Sequence, residues 1–188
     1  GDFTLPEGES AIRQHHKNEA KTMLLQDNDP LLGQVVGGRY LIKELIARGG
    51  MGKVYRAEQM SLERPVAIKI LQAEFSSNEI LTERFHLEAK AASKLGHPSS
   101  VMIHDFGQWQ GHLFIAMELV PGRSMDQILR EEHPLDSLRI IRLLVQVCDV
   151  LIEAHEKGII HRDLKPANIM VSGSEEDEHV KVLDFGLA

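Results

Sequence analysis

The stretch His161-Arg162-Asp163-Leu164-Lys165-Pro166-Ala167-Asn168 constrains this chain more than any other. An Asp stands two residues before a Lys and five before an Asn, on a segment that Pro166 keeps from being a regular helix. An Asp can accept a proton from an attacking hydroxyl. A Lys beside it can neutralise a phosphoryl group in flight, and an Asn oxygen can ligate a hard cation such as Mg²⁺. Sixteen residues after Asn168 comes Asp184-Phe185-Gly186, a second carboxylate beside a Gly. Two oxygen donors and a base are the parts of metal-assisted phosphoryl transfer.

Composition narrows the alternatives. With 188 residues the chain can build a sizeable core. Its formal net charge of −7, without a dense Lys/Arg tract, argues against nucleic acid as a partner. A single cysteine, Cys148, excludes an internal disulfide and fits a reducing, cytoplasmic setting. Cys148 lies in an apolar helical run and is expected as a buried small hydrophobe. No signal peptide and no membrane-spanning apolar run is present in the chain. The adjacent His15-His16 lack a metal-ligand pattern and read as surface residues.

Residues 1–38 are polar at first and read as a flexible leader with a short helix around Ser10–Leu25. Thr4 and Thr22 are candidate phosphate acceptors there. A strand is expected over Arg39–Ala47 and a second over Lys53–Gln59, joined by Arg48-Gly49-Gly50-Met51-Gly52. A Gly-rich turn between strands lets backbone N–H groups approach a polyphosphate without an intervening Cβ. Pro65–Leu71 is an apolar strand carrying one charged residue, Lys69. Ser76-Ser77-Asn78-Glu79 has the form of a capping box, which opens a helix running to about Leu95. Glu88 lies on that helix, where Arg84 four residues earlier is a natural partner.

Val101–Gly107 and His112–Leu119 form a hairpin, ended by Pro121-Gly122. Ser124–Glu132 reads as a short helix, and Asp136-Ser137 opens a long one from Leu138 to about Lys157. Ile141, Leu144, Val145, Cys148, Leu151 and Ile152 recur along the long helix at helical spacing and are expected in the core. Ile169-Met170-Val171 and His179–Leu183 make a small strand pair, and Glu175-Glu176-Asp177-Glu178 between them reads as a solvated acidic turn.

Taken together, these motifs resemble the protein-kinase superfamily. His161–Asn168 is similar to its catalytic loop, Asp184–Gly186 to its metal-binding triplet and Val66-Ala67-Ile68-Lys69 to its phosphate-lysine strand. Lys165 two residues after Asp163 resembles the serine/threonine branch. The wording Gly-Gly-Met-Gly-x-Val-Tyr and His-Arg-Asp-Leu-Lys-Pro-Ala-Asn-Ile-Met resembles bacterial serine/threonine kinases of the eukaryotic type. One departure stands out: the family's first loop glycine is replaced by Ala47, which implies altered loop flexibility.

The resemblance covers about residues 39–188 and implies an α+β, two-lobe kinase fold, truncated after the metal-binding triplet. It implies a small lobe over 39–116, a hinge over 117–122 and an incomplete large lobe over 123–188. Without its usual cover, the Leu138–Lys157 helix would expose apolar surface.

The implied reaction is transfer of the ATP γ-phosphoryl group to Ser or Thr hydroxyls of proteins, with autophosphorylation compatible with the same chemistry. Asp163 would be the base and Lys165 the phosphoryl stabiliser. Lys69 would hold phosphates, and Glu88 would pair with Lys69 and orient it. Asn168 and Asp184 would hold Mg²⁺ or Mn²⁺. The nucleotide would lie against Ala47, Gly49, Gly52, Val54, Ala67, Met117, Glu118, Val120 and Met170, with Met117 at the gatekeeper position. His161 is expected to support the loop and contact Phe185, and Arg162 to bind an activating phosphate. Two other classes stay open: a pseudokinase-like nucleotide-binding module without turnover, and a scaffold whose polar leader recruits a partner. The full-length protein could extend into a membrane anchor that these residues do not encode.

Overall fold

The computed structural model describes residues 29–73 and 78–185. The expected Ser10–Leu25 helix, His15-His16, Thr4, Thr22, Ser76, Ser77 and Gly186 lie outside the described residues.

The small lobe is a six-stranded antiparallel sheet in the order β1-β2-β3-β4-β6-β5. Its strands are β1 (Val35–Val36), β2 (Tyr40–Gly49), β3 (Gly52–Gln59), β4 (Arg64–Leu71), β5 (Ile103–Trp109) and β6 (His112–Glu118). Side chains alternate between its faces, as the pleat requires. One face carries Val36, Tyr40, Ile42, Tyr55, Val66, Ile68 and Phe114 and is covered by Leu31 and Leu32. The opposite face carries Ala67, Ile115 and Met117 and packs on Phe85.

The boundary expected at residue 39 therefore falls earlier. Val36 is fully buried and pairs with Tyr40, so 29–38 belong to the lobe and not to a leader.

Phe85 comes from helix α1 (Glu79–Ala92), which buries Phe85, Ala89 and Ala92. Its N-cap is Asn78, whose side chain accepts from the Ile80 and Leu81 amides. The cap expected at Ser76 is thus replaced by the residue one position before the helix. Beyond α1, Ser100 bridges Val182 in parallel, and the Val101 amide donates to Val182 O at 3.1 Å, which ties the two lobes together.

Ahead of the large lobe, Gly122 has a φ of 104°, and an added Cβ would lie 2.1 Å from Val171 O, so only glycine fits there. The elements of the large lobe are β7 (Arg123–Ser124), α2 (Met125–Glu131), α3 (Ser137–Glu156), β8 (Ile169–Ser174) and β9 (Asp177–Val182). Ser124 and Gln127 form a capping box that starts α2. Helix α3 buries Leu143, Val147, Val150 and Ala154 against Ile169, Val171, Val180 and Val182.

Three expectations change here. Cys148 is exposed, because the buried stripe runs through its neighbour Val147. Ile141, Leu144, Val145 and Ile152, expected in the core, are also exposed and form a second apolar face of α3. Glu178 is not solvated: its side chain is 9% exposed and takes a bidentate bond from Arg139 at 2.8 and 3.0 Å.

Gln146 of α3 completes the docking of the β8–β9 hairpin. Its amide donates to Glu178 O at 2.9 Å and accepts from the Val180 amide at 3.0 Å. The edge of β9 is thus closed by a side chain.

Candidate active site

The β8–β9 register aligns Ile169 with Val182. It therefore places Asn168, just before β8, beside Leu183, just after β9, and the Leu183 amide donates to Asn168 O at 2.9 Å. Asp184 follows directly. Two oxygen-bearing residues sixteen positions apart become neighbours because a hairpin joins them.

The Asn168 amide nitrogen donates to Asp163 O at 2.8 Å and to Asp163 Oδ2 at 3.2 Å. That orientation commits the nitrogen to the loop and leaves the amide oxygen as the group that could ligate a cation. Lys165 Nζ donates to Asp163 Oδ2 at 2.6 Å. This contact first, and Asn168 after it, hold the Asp163 carboxyl below its usual range. Asp163 is therefore ionised at neutral pH, the form a base needs.

His161 is buried beneath the loop. It accepts the Asp163 amide at Nδ1 (3.3 Å) and meets Leu183 O from Nε2 (2.8 Å). Both bonds are satisfied together by the tautomer protonated on Nε2. Its ring centroid lies 4.9 Å from that of Phe185, the contact expected of it. Arg162 and Asp184 both adopt left-handed φ, 66° and 58°. For non-glycine residues this costs on the order of 1 kcal/mol each and is held by the surrounding bonds.

Lys69 projects from β4 and is 8% exposed. The expected Lys69–Glu88 pair is not formed. Lys69 Nζ binds Asp184 Oδ2 at 2.7 Å instead. Glu88 Oε1 takes Arg84 Nε at 2.9 Å and also the guanidinium of Arg162. The reason is electrostatic choice: Glu88 has two arginines within reach, and Lys69 already has a carboxylate. Arg162, read as a phosphate ligand, is occupied by Glu88 in this state.

The cleft above these groups is lined as expected in part. Ala67 and Met117 are buried in one cluster, with Val54, Leu119, Val120 and Leu183 packed on it. Met170 pairs with Lys181 and Ser124 in the small sheet and is half-buried. The Glu118 amide donates to Met102 O at 2.9 Å, so the backbone group Glu118 could offer a ligand is its carbonyl. Its carboxylate takes Lys181 at 2.8 Å, an ion pair at the hinge that sequence reasoning missed.

The glycine-rich turn closes on the Gly49–Gly52 pair. A Cβ at Gly52 would meet Ile70 O at 2.1 Å, so this glycine is required by the neighbouring strand itself. Ala47 lies within β2, opposite Val54, and its φ is not left-handed, so the methyl is accommodated without backbone strain.

The chemistry of the donor set fits a divalent ion shared with a phosphate. Asn168 and Asp184 offer two hard oxygens. Among the described residues no group of three or more His, Cys, Asp or Glu could hold a metal. Mg²⁺ is bound in this way, by one or two side chains with phosphate and water completing the shell.

A protein-family model described as "Protein kinase domain" matches residues 40–188, and the chain belongs to that family. Within it, the chain is similar to bacterial serine/threonine-protein kinases. It is 49% identical over 168 residues to pkn3 of Myxococcus xanthus, covering 88% of this chain and 31% of that protein. It is 40% identical over 151 residues to PknH of Mycobacterium tuberculosis, covering 80% and 24%. The chain thus spans a third or less of these two relatives. The crystal structure of the PknI kinase domain of Mycobacterium tuberculosis superposes with a TM-score of 0.74 at 29% identity, covering 83% of this chain and 62% of that one. The two-lobe kinase fold, present in part, is the fold of this chain. Among the described residues no helix is long and apolar enough to cross a membrane.

Proposed function

We propose that this chain forms the nucleotide-binding and catalytic part of a protein kinase that transfers the ATP γ-phosphoryl group to Ser or Thr hydroxyls of proteins. The observation that carries the proposal is the assembly of Asp163, Lys165, Asn168, Asp184 and Lys69 through the contacts Lys165–Asp163, Asn168–Asp163 and Lys69–Asp184. Asp163 accepts the proton of the substrate hydroxyl and orients its oxygen. Lys165 neutralises charge on the moving phosphoryl group. Asn168 and Asp184 would hold Mg²⁺, which supplies charge neutralisation to the phosphates. Lys69 steadies Asp184 and lies where it can take a phosphate oxygen. Val54, Ala67 and Met117 offer an apolar surface to the base, and the Glu118 carbonyl a polar edge. Most of the catalysis is positioning and electrostatics. The single cysteine, which leaves no internal disulfide, supports a reducing, cytoplasmic location for this part of the protein.

Calorimetric titration of the full-length protein with ATP tests the reading. ATP binds with Mg²⁺ present and weakens about tenfold or more on chelation, a difference of roughly 1.4 kcal/mol. Asp184→Asn removes most of that dependence. Equal binding with and without Mg²⁺ in the wild type would contradict the assignment of Asn168 and Asp184.

A further inference from the structure

Asp29 lies ten residues before the strand that opens the expected small lobe, yet its side chain is fully buried. It sits on the covered outer face of the sheet. Lys53 Nζ donates to Asp29 Oδ2 at 2.8 Å, and Tyr55 OH contacts its two oxygens at 3.1 and 3.2 Å. The Leu31 amide reaches Oδ1 at 3.2 Å, and Arg48 NH2 stands 3.6 Å from Oδ2. Burial alone pushes the Asp29 carboxyl up, but Lys53, the Leu31 amide and Tyr55 together hold it below its usual range.

The positions of its two cations matter. Arg48 and Lys53 are partners in the β2–β3 register and stand immediately before and after the Gly49–Gly52 pair. By strand alternation Lys53 and Tyr55 face outward, while Val54 between them faces the cleft with Lys69, its partner on β4. One carboxylate thus grips both ends of the glycine-rich turn from the side opposite the nucleotide cleft.

A backbone bond from the Gln72 amide to Met51 O at 3.0 Å also ties the turn to the end of β4. Gly49 and Gly50 carry no side chain. A cavity of about 440 Å³, lined by Leu31, Arg48, Gly49, Gly52, Lys53 and His112 among others, opens behind it.

We propose that Asp29 is a positioning residue that sets the glycine-rich turn over the nucleotide phosphates, acting through Lys53 and Arg48. This rests on the kinase reading above. It also makes residues 29–31 a working part of the nucleotide site.

Two variants of the full-length protein test it from opposite ends: Asp29→Asn, which keeps shape but loses charge, and Lys53→Met, which breaks the same pair at a partly exposed residue. Two readouts are taken, amide hydrogen exchange of residues 49–53 without ligand, and KM for ATP alongside kcat. The expected result is faster exchange at 49–53 in both variants, with KM for ATP raised about three- to tenfold and kcat changed less than twofold, as for a lost ground-state binding contribution. Faster exchange confined to residues 31–36, with the turn and KM unchanged, would overturn the proposal and leave Asp29 as an anchor only. A wild type that binds no ATP would sink the kinase reading instead, and exchange at the turn would still decide whether Asp29 supports it.

Discussion

Asp163→Asn lowers phosphoryl transfer by about 10²- to 10⁴-fold in the full-length protein, the range for loss of a positioned base. An Asn can keep the hydrogen bonds from Lys165 and Asn168 through its oxygen, so the loop geometry survives and ATP affinity changes little. The loss falls on kcat. The pH profile carries a second check. Lys165 holds the Asp163 carboxyl below the ordinary value of 3.8, so the base stays ionised as pH falls and protonates only below that value. Wild-type kcat should show no acid limb from Asp163 between roughly pH 5 and 8. Pre-steady-state kinetics separate the chemical step from product release. An Asp163→Asn enzyme with a wild-type chemical rate would remove Asp163 from the mechanism.

Arg139→Ala destabilises the domain by about 3 kcal/mol, because it strands Glu178 in a buried position. For a domain of this size that is a fall in Tm of about 6–12 °C. Arg139 is 7% exposed at its side chain and bonds both Glu178 and Glu132. Glu132 retains Arg123 as a partner, which places the cost at the low end of the range for buried pairs. Removing Glu178 as well, in Arg139→Ala/Glu178→Ala, recovers part of the loss, since no unpaired charge remains. Thermal denaturation of the single and double variants checks this. Additive losses would show that the pair does not hold α3 to the hairpin. The consequence reaches the site, because that hairpin brings Asn168 to Asp184.

Much of this was legible in the chain. The strands around the glycine-rich turn, both hairpins and the helices follow from local alternation, capping residues and turn chemistry, all properties of neighbouring residues. The catalytic loop was legible because its chemistry is packed into eight consecutive positions.

What escaped depends on contacts between distant segments. Asp29 sits among polar residues, and only its meeting with Lys53 and Tyr55 separates it from a solvated aspartate. Glu178 ends an acidic run, and only Arg139, 39 positions away, draws it inside. Helix α3 has two apolar stripes, and periodicity cannot tell which one meets the β8–β9 hairpin; the structure chose Leu143, Val147 and Val150 over Ile141, Val145 and Cys148. Glu88 is instructive in the other direction. Its Arg84 contact is readable from helical spacing, whereas the role implied by resemblance requires a Lys69 pair that the structure gives to Asp184.

The most direct test of the central claim is phosphoryl transfer itself. Purified full-length protein is incubated with γ-labelled ATP and Mg²⁺, and the labelled products are hydrolysed for phosphoamino-acid analysis. The account predicts label on serine or threonine and none on tyrosine, with incorporation falling to background in Asp163→Asn. A wild type that binds Mg²⁺–ATP but incorporates no more label than Asp163→Asn, on itself or on any protein offered, would contradict it and leave a nucleotide-binding module without turnover.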